Sequence, residues 1–247
     1  MRTNMPKIKD IAFQATNETE NGKHILTLSG NIRKRYWSED KSIDADLVRE
    51  ALDDVTDDVV IKLNSNGGDV FQGIEIYNYL KDHPSNITVE VTGVAASAAT
   101  FIVAGANKAI MNTGTSFMIH EASSFAWGNK AELKKVLNAL ETIDDSILSI
   151  YESKTGQSKD KLNEWMESEK WFTADEAVEY GFADEVKEVK KDVTDQIDVA
   201  ALINHAVAQA KREFAAELKT NTVETPKEPV NEKPKQKSLL NKLRKGE

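Results

Sequence analysis

Short apolar runs alternate along this chain with longer stretches of helical spacing, and glycine or proline punctuates most of the changes between them. Residues 24–30, 59–63 and the β-branched run 87–92 read as strands. Residues 43–52 have helical spacing with acids in the first turn, and residues 70–80 repeat that spacing until Pro84 ends it. A glycine then leads from the 87–92 strand into a small-residue helix continuing through Phe101-Ile-Val-Ala-Gly105. Two strand-like pieces, 109–114 and 116–120, follow around a glycine turn. Residues 132–151 predict a long amphipathic helix whose apolar stripe runs from Leu133 and Leu137 to Ile147 and Ile150, closed by Lys154-Thr-Gly156. A short helix over 159–167, a helix over 175–180 capped by Thr173, and a last strand over 185–189 complete the pattern. Strand and helix alternating at this spacing predict an α/β fold with mostly parallel strands.

The ends depart from that rhythm. Residues 1–22 are polar and are expected to form a flexible N-terminal segment before a domain over 23–189. Residues 190–219 include an Ala-rich stretch with amphipathic helical spacing, and 220–247 form a Pro/Glu/Lys-rich, charged tail expected to be disordered. Its basic end carries Leu239, Leu240 and Leu243 at near-helical spacing, which suits a docking peptide or a solubilising tail. The 247 residues carry a formal charge of −9, which argues against a general nucleic-acid binder. With no cysteine there is no disulfide, thiolate metal site or cysteine nucleophile. No secretory leader is visible, and no stretch reaches the ~20 apolar residues of a membrane span, so a cytoplasmic protein is expected.

Candidate chemistry centres on Gly93-Val-Ala-Ala-Ser-Ala-Ala-Thr100, where one hydroxyl, Ser97, lies among residues with almost no side chain. Small neighbours admit a substrate backbone, and free N–H groups of a helix start favour an oxyanion beside it. The plainer alternative is that Ser97 caps or packs an Ala-rich helix. A serine nucleophile needs a base, and the chain has four histidines. Of these, His120 ends an apolar strand, and if that strand runs parallel to 87–92 it reaches the edge where the Ser97 helix begins. The turn Asn64-Ser-Asn-Gly-Gly-Asp69 sits between a strand and a helix, and its Gly68 N–H pairs naturally with that of Ala98 as an oxyanion hole. Among 41 acids, spacing alone does not single out a carboxylate to orient the imidazole.

Leu63-Asn-Ser-Asn-Gly-Gly68, the Ser97 octapeptide, Phe117-Met-Ile-His120, Thr155-Gly-Gln-Ser158 and Phe172-Thr-Ala-Asp-Glu-Ala-Val-Glu-Tyr-Gly181 occur in the order found in the proteolytic subunit of the Clp protease, which residues 23–189 resemble. The resemblance implies a ClpP/crotonase-like β-β-α superhelix with a protruding long helix. It implies homo-oligomeric rings, heptamer or double ring, around enclosed sites, with Ser97 as nucleophile, His120 as base and Gly68 and Ala98 as oxyanion donors. It implies no cofactor and no metal. Where the family has Asp as third member, alignment on Ala174 to Gly181 places Glu169, and Asn66 replaces the family's Pro. These departures and the tail are more similar to phage and prophage head-maturation proteases. Such a serine endopeptidase would cut capsid or scaffold proteins in the host cytoplasm, with protein or peptide substrates, possible capsid, scaffold or portal partners, and no nucleic acid or membrane partner. The competing readings are a housekeeping subunit fed by an AAA+ unfoldase, an acyl-CoA enzyme of the crotonase type, and a catalytically idle assembly module.

Overall fold

A computed structural model describes residues 11–188 apart from Asn21 and Ser38. The helix expected within 190–219 and the tail 220–247 lie outside the described residues, which all belong to a unit ending at Lys190.

One mixed sheet carries the domain. Its main path runs through Gln14–Glu20 (β1), Lys23–Ser29 (β2), Val59–Ser65 (β3), Ile87–Ala96 (β4), Lys108–Asn112 (β5) and Glu185–Lys187 (β8). Ser116–Met118 (β6) joins the upper end of β4, and Trp171–Thr173 (β7) pairs with β6. Apart from β1 against β2 and β7 against β6, every pairing is parallel. The expected α/β class and ClpP-like architecture are present, with the crossovers made by Ala45–Leu52 (α1), Val70–Asp82 (α2) and Ala99–Gly105 (α3). Central β3 alternates buried and half-buried positions, with Val59, Ile61 and Leu63 fully buried. Lys130–Thr155 (α4), Lys159–Glu167 (α5) and Ala174–Glu179 (α6) follow.

Three expectations change. Residues 14–20, expected within a flexible segment, form the edge strand β1. Its ladder with β2 is built from backbone groups, so the exposed polar string Gln-Ala-Thr-Asn-Glu-Thr-Glu needs no apolar face to pair. Strand β4 does not stop at Thr92 but continues to Ala96. Its register against β3 shifts between Leu63 and Ser65, and the Asn64 Oδ1 fills the irregularity by accepting Val94 N–H at 3.1 Å. The long helix is closed as expected by Gly156 in the left-handed region, and it starts two residues earlier than expected, at an Asn129/Glu132 capping box that its apolar spacing does not predict. Its apolar stripe, however, is buried only from Ile147 onward, while Leu133 and Leu137 are 40% and 59% exposed. The first half of α4 therefore presents apolar side chains that the described residues do not cover. Phe125 and Trp127, in the extended segment before it, are each 91% exposed.

Candidate active site

Three segments meet at the carboxyl edge of β4. Strand β4 ends at Ala96, and the chain turns through Ser97 and Ala98 into α3. Ser97 is therefore the elbow between strand and helix, not the N-cap, a position taken by Ala98 without a side-chain bond. Its φ of +56° lies in the left-handed region that a β-carbon disfavours. Parallel pairing sets Ala96 against Met118, and Ser97 N–H donates to Met118 O at 2.9 Å. Strand β6 thus delivers His120 beside the serine, with Nε2 2.7 Å from Ser97 Oγ. The parallel arrangement that brings them together is the one the sequence makes conditional.

The glycine turn is shaped with equal economy. Gly67 N–H donates to Ser65 Oγ at 3.0 Å, and Asp69 N–H donates to Ile32 O at 2.8 Å. Gly68 N–H, between them, has no protein acceptor among the described residues, nor does Ala98 N–H. The turn also lies too close to its neighbours for any side chain. A β-carbon on Gly67 would stand 2.7 Å from Ser97 Cβ, and one on Gly68 would stand 2.1 Å from Ile32 O. Asp69 accepts Phe71 N–H and Gln72 N–H as the N-cap of α2 and anchors the turn's far end. Both amides border the same cleft as Ser97 and His120, about 300 Å³ in volume, with Phe71, Phe101, Ile143 and Ile147 among its apolar walls.

Glu169 reaches the neighbourhood by another route. Strand β7 runs antiparallel to β6 with Met118 opposite Trp171, and Ile119 N–H donates to Lys170 O at 3.2 Å. Carried one step further, that register sets Glu169 opposite His120. It is also the residue after the α5 C-cap, Ser168, in a Schellman turn: Glu169 N–H donates to Met166 O at 3.1 Å and Lys170 N–H to Trp165 O at 3.0 Å. That place usually holds glycine, and Glu169 occupies it at φ +48°. Ser97 and Glu169 are the only non-glycine residues at positive φ among the described residues. No hydrogen bond joins the Glu169 carboxylate to His120, and Nδ1 of the imidazole has no hydrogen-bond partner among the described residues.

Two further residues escape any reading of the sequence. Thr100 Oγ1 lies 2.6 Å from both Ser97 O and Tyr151 Oη, joining the serine elbow to α4 across 51 residues of chain. Tyr151 there looks like one more core position at the end of an amphipathic helix. Behind it, Phe117, Phe172, Phe182 and Trp165 form an aromatic cluster that supports β6 and β7. No group of three or more metal-ligating side chains occurs among the described residues.

A mostly parallel sheet whose carboxyl edge presents a serine, an imidazole and two amides without acceptors is an α/β arrangement that meets the requirements of serine hydrolysis. The Clp protease family model matches residues 17–190, and the chain belongs to that family. It is 31% identical over 151 residues to the ATP-dependent Clp protease proteolytic subunit 1 of Streptomyces avermitilis, covering 60% of this chain and 70% of that protein. Similarity to the ATP-dependent Clp protease proteolytic subunit of Bacteroides fragilis reaches 34% identity over 133 residues, 52% of this chain and 63% of the relative. Among the described residues no helix is long and apolar enough to cross a membrane.

Proposed function

We propose that this protein is a cofactor-independent serine endopeptidase acting through Ser97. The observation that carries the reading is the 2.7 Å contact between Ser97 Oγ and His120 Nε2, next to two amides without acceptors. Ser97 Oγ attacks a peptide carbonyl carbon while its proton passes to His120 Nε2. The carbonyl oxygen, now negative, is held by Gly68 N–H and Ala98 N–H. His120 then returns the proton to the departing amine, leaving an acyl-serine that water hydrolyses by the same exchange. Glu169 orients His120 through Nδ1, a contact that forms when substrate fills the cleft. Its positive φ supports this role, since a residue that keeps its side chain where glycine is easier points to a use for that side chain.

The finer reading is a head-maturation protease, cutting capsid or scaffold proteins in a host cytoplasm. Glu169 in place of Asp, Asn66 in place of Pro and the charged tail support it. The relatives' names support a second reading, a proteolytic subunit supplied by an ATP-driven unfoldase. Exposed Phe125, Trp127, Leu133 and Leu137 favour assembly with further copies in either case, and rings are the form proposed. Intact-mass analysis after fluorophosphonate treatment tests the core of the proposal. One adduct on the wild type, lost in Ser97→Ala, is expected, and an unmodified wild type would exclude it. Stimulation of protein degradation by an added unfoldase and ATP favours the second substrate reading; cleavage of a capsid precursor without ATP favours the first.

A further inference from the structure

Ser97 holds a backbone conformation that a β-carbon disfavours, and such a conformation persists only where its surroundings over-determine it. The amide of Ser97 is fixed by Met118 O. Its carbonyl receives two hydrogen bonds from one residue, Thr100 N–H at 2.9 Å and Thr100 Oγ1–H at 2.6 Å. The threonine hydroxyl has a single proton, which this bond uses. The 2.6 Å contact between Thr100 Oγ1 and Tyr151 Oη must then have Tyr151 as donor. Burial pushes the Tyr151 phenol well above its ordinary range, so it keeps that proton. Phe101 and Phe182 pack against the Tyr151 ring at 5.8 and 5.7 Å between centroids, leaving the phenol little freedom to turn away. Two turns earlier on α4, Asp144 Oδ1 accepts Ala122 N–H at 2.7 Å, two residues beyond His120. One helix therefore grips both the serine elbow and the histidine segment.

We propose that Thr100 and Tyr151 are positioning residues for the nucleophile. The phenol donates to the threonine hydroxyl, which donates to the Ser97 carbonyl. This relay locks the left-handed elbow that directs Oγ at His120 and turns Ala98 N–H toward the cleft. Tyr151 acts only through Thr100, and Thr100 acts only through the backbone of Ser97.

The inference rests on Ser97 being the nucleophile, and the rate of fluorophosphonate adduct formation by the full-length chain tests both separately. Loss of the direct bond in Thr100→Val should slow acylation about thirtyfold, and Tyr151→Phe should slow it about fivefold, as expected for misplaced reacting atoms and for loss of a supporting hydrogen bond. For a peptide substrate the loss should fall on kcat, with KM changed less than about twofold. Thr100→Ser should restore the rate to within about threefold of wild type, because it returns the hydroxyl without the methyl. The double variant should be no slower than Thr100→Val alone, since the phenol has no other route to Ser97. A wild-type rate in Tyr151→Phe, a Thr100→Ser variant as slow as Thr100→Val, or a double variant with multiplied losses would each overturn the relay. Absence of a Ser97 adduct on the wild type would instead overturn the nucleophile assignment itself.

Discussion

Two left-handed turns face each other across this site, and they are held in different ways. At Ser97 the strained residue is bonded through its amide to β6 and through its carbonyl to Thr100, with Tyr151 behind. At Glu169 the strain is absorbed by a Schellman turn, and Lys170 Nζ lies 4.8 Å above the Trp165 ring where such turns usually place an apolar contact. The first turn is locked to the rest of the site and its side chain meets His120. The second closes a helix on its own, and its carboxylate has no bond to the imidazole. A tertiary network leaves Ser97 no freedom, whereas a local cap fixes only the backbone of Glu169 and leaves its side chain free to move.

The comparison breaks most sharply at Ser97. Ser97→Ala and Ser97→Gly should both lower peptide hydrolysis on the order of 10⁴-fold or more, leaving what binding and the oxyanion hole supply. They should differ in stability, because glycine tolerates φ +56°: Ser97→Gly should melt about 2–4 °C above Ser97→Ala in calorimetry. Activity retained by Ser97→Ala would refute the nucleophile, and equal melting points would show that the elbow is not strained. Gly68→Ala comes next. Its β-carbon cannot coexist with Ile32 O at 2.1 Å, so the turn must move and its amide with it. Loss of one oxyanion donor predicts a kcat lower by about 10²–10³-fold, and unchanged kcat in folded protein would remove Gly68 from the hole.

These turns also mark where the sequence stops being informative. Strands β3 to β6 and helices α2, α4, α5 and α6 are legible from periodicity and from their punctuation, Pro84, Gly156 and Thr173. That Ser97, His120 and Gly68 meet at one cleft is legible because each lies at a strand end or a tight turn, and parallel strands bring those ends to one sheet edge. Strand β1 is not, since edge pairing asks only for backbone groups. A positive φ at Ser97 or Glu169 leaves no trace in residue type, because side chains that tolerate it poorly occupy both places. Nothing local connects Thr100 with Tyr151, or Asp144 with Ala122, because those pairings exist only once α4 has docked. The outer half of α4 shows the same limit: spacing gives its apolar stripe but not what covers it, and Leu133 and Leu137 have no covering partner among the described residues.

Glu169 sharpens the contrast. Glu169→Gly should relieve about 1–2 kcal/mol of left-handed strain and raise the melting temperature by a few degrees. Turnover should fall by about 10²-fold if Glu169 acts as proposed, because His120 then loses the group that selects its tautomer and supports its charge. Glu169→Gln keeps the shape and should show the activity loss without the stability gain. If Glu169→Gly is more stable and fully active, the residue is an imperfect helix cap and the imidazole is oriented by something else.

The smallest expected effect belongs to Asp144, which touches neither the serine nor the imidazole. Its Oδ1 holds Ala122 N–H, so it restrains His120 through two residues of backbone. Asp144→Ala should therefore lower kcat about three- to tenfold, as for loss of a single charge-assisted hydrogen bond, with KM nearly unchanged. Asp144→Asn keeps a carbonyl oxygen for the same amide and should recover most of the rate, which separates the hydrogen bond from the charge. A full loss in Asp144→Asn would mean that the negative charge acts on the site at a distance. No loss in Asp144→Ala would mean that β6 alone fixes the histidine, leaving the serine elbow and the cleft wall of Ile143 and Ile147 as the parts of the site that depend on α4.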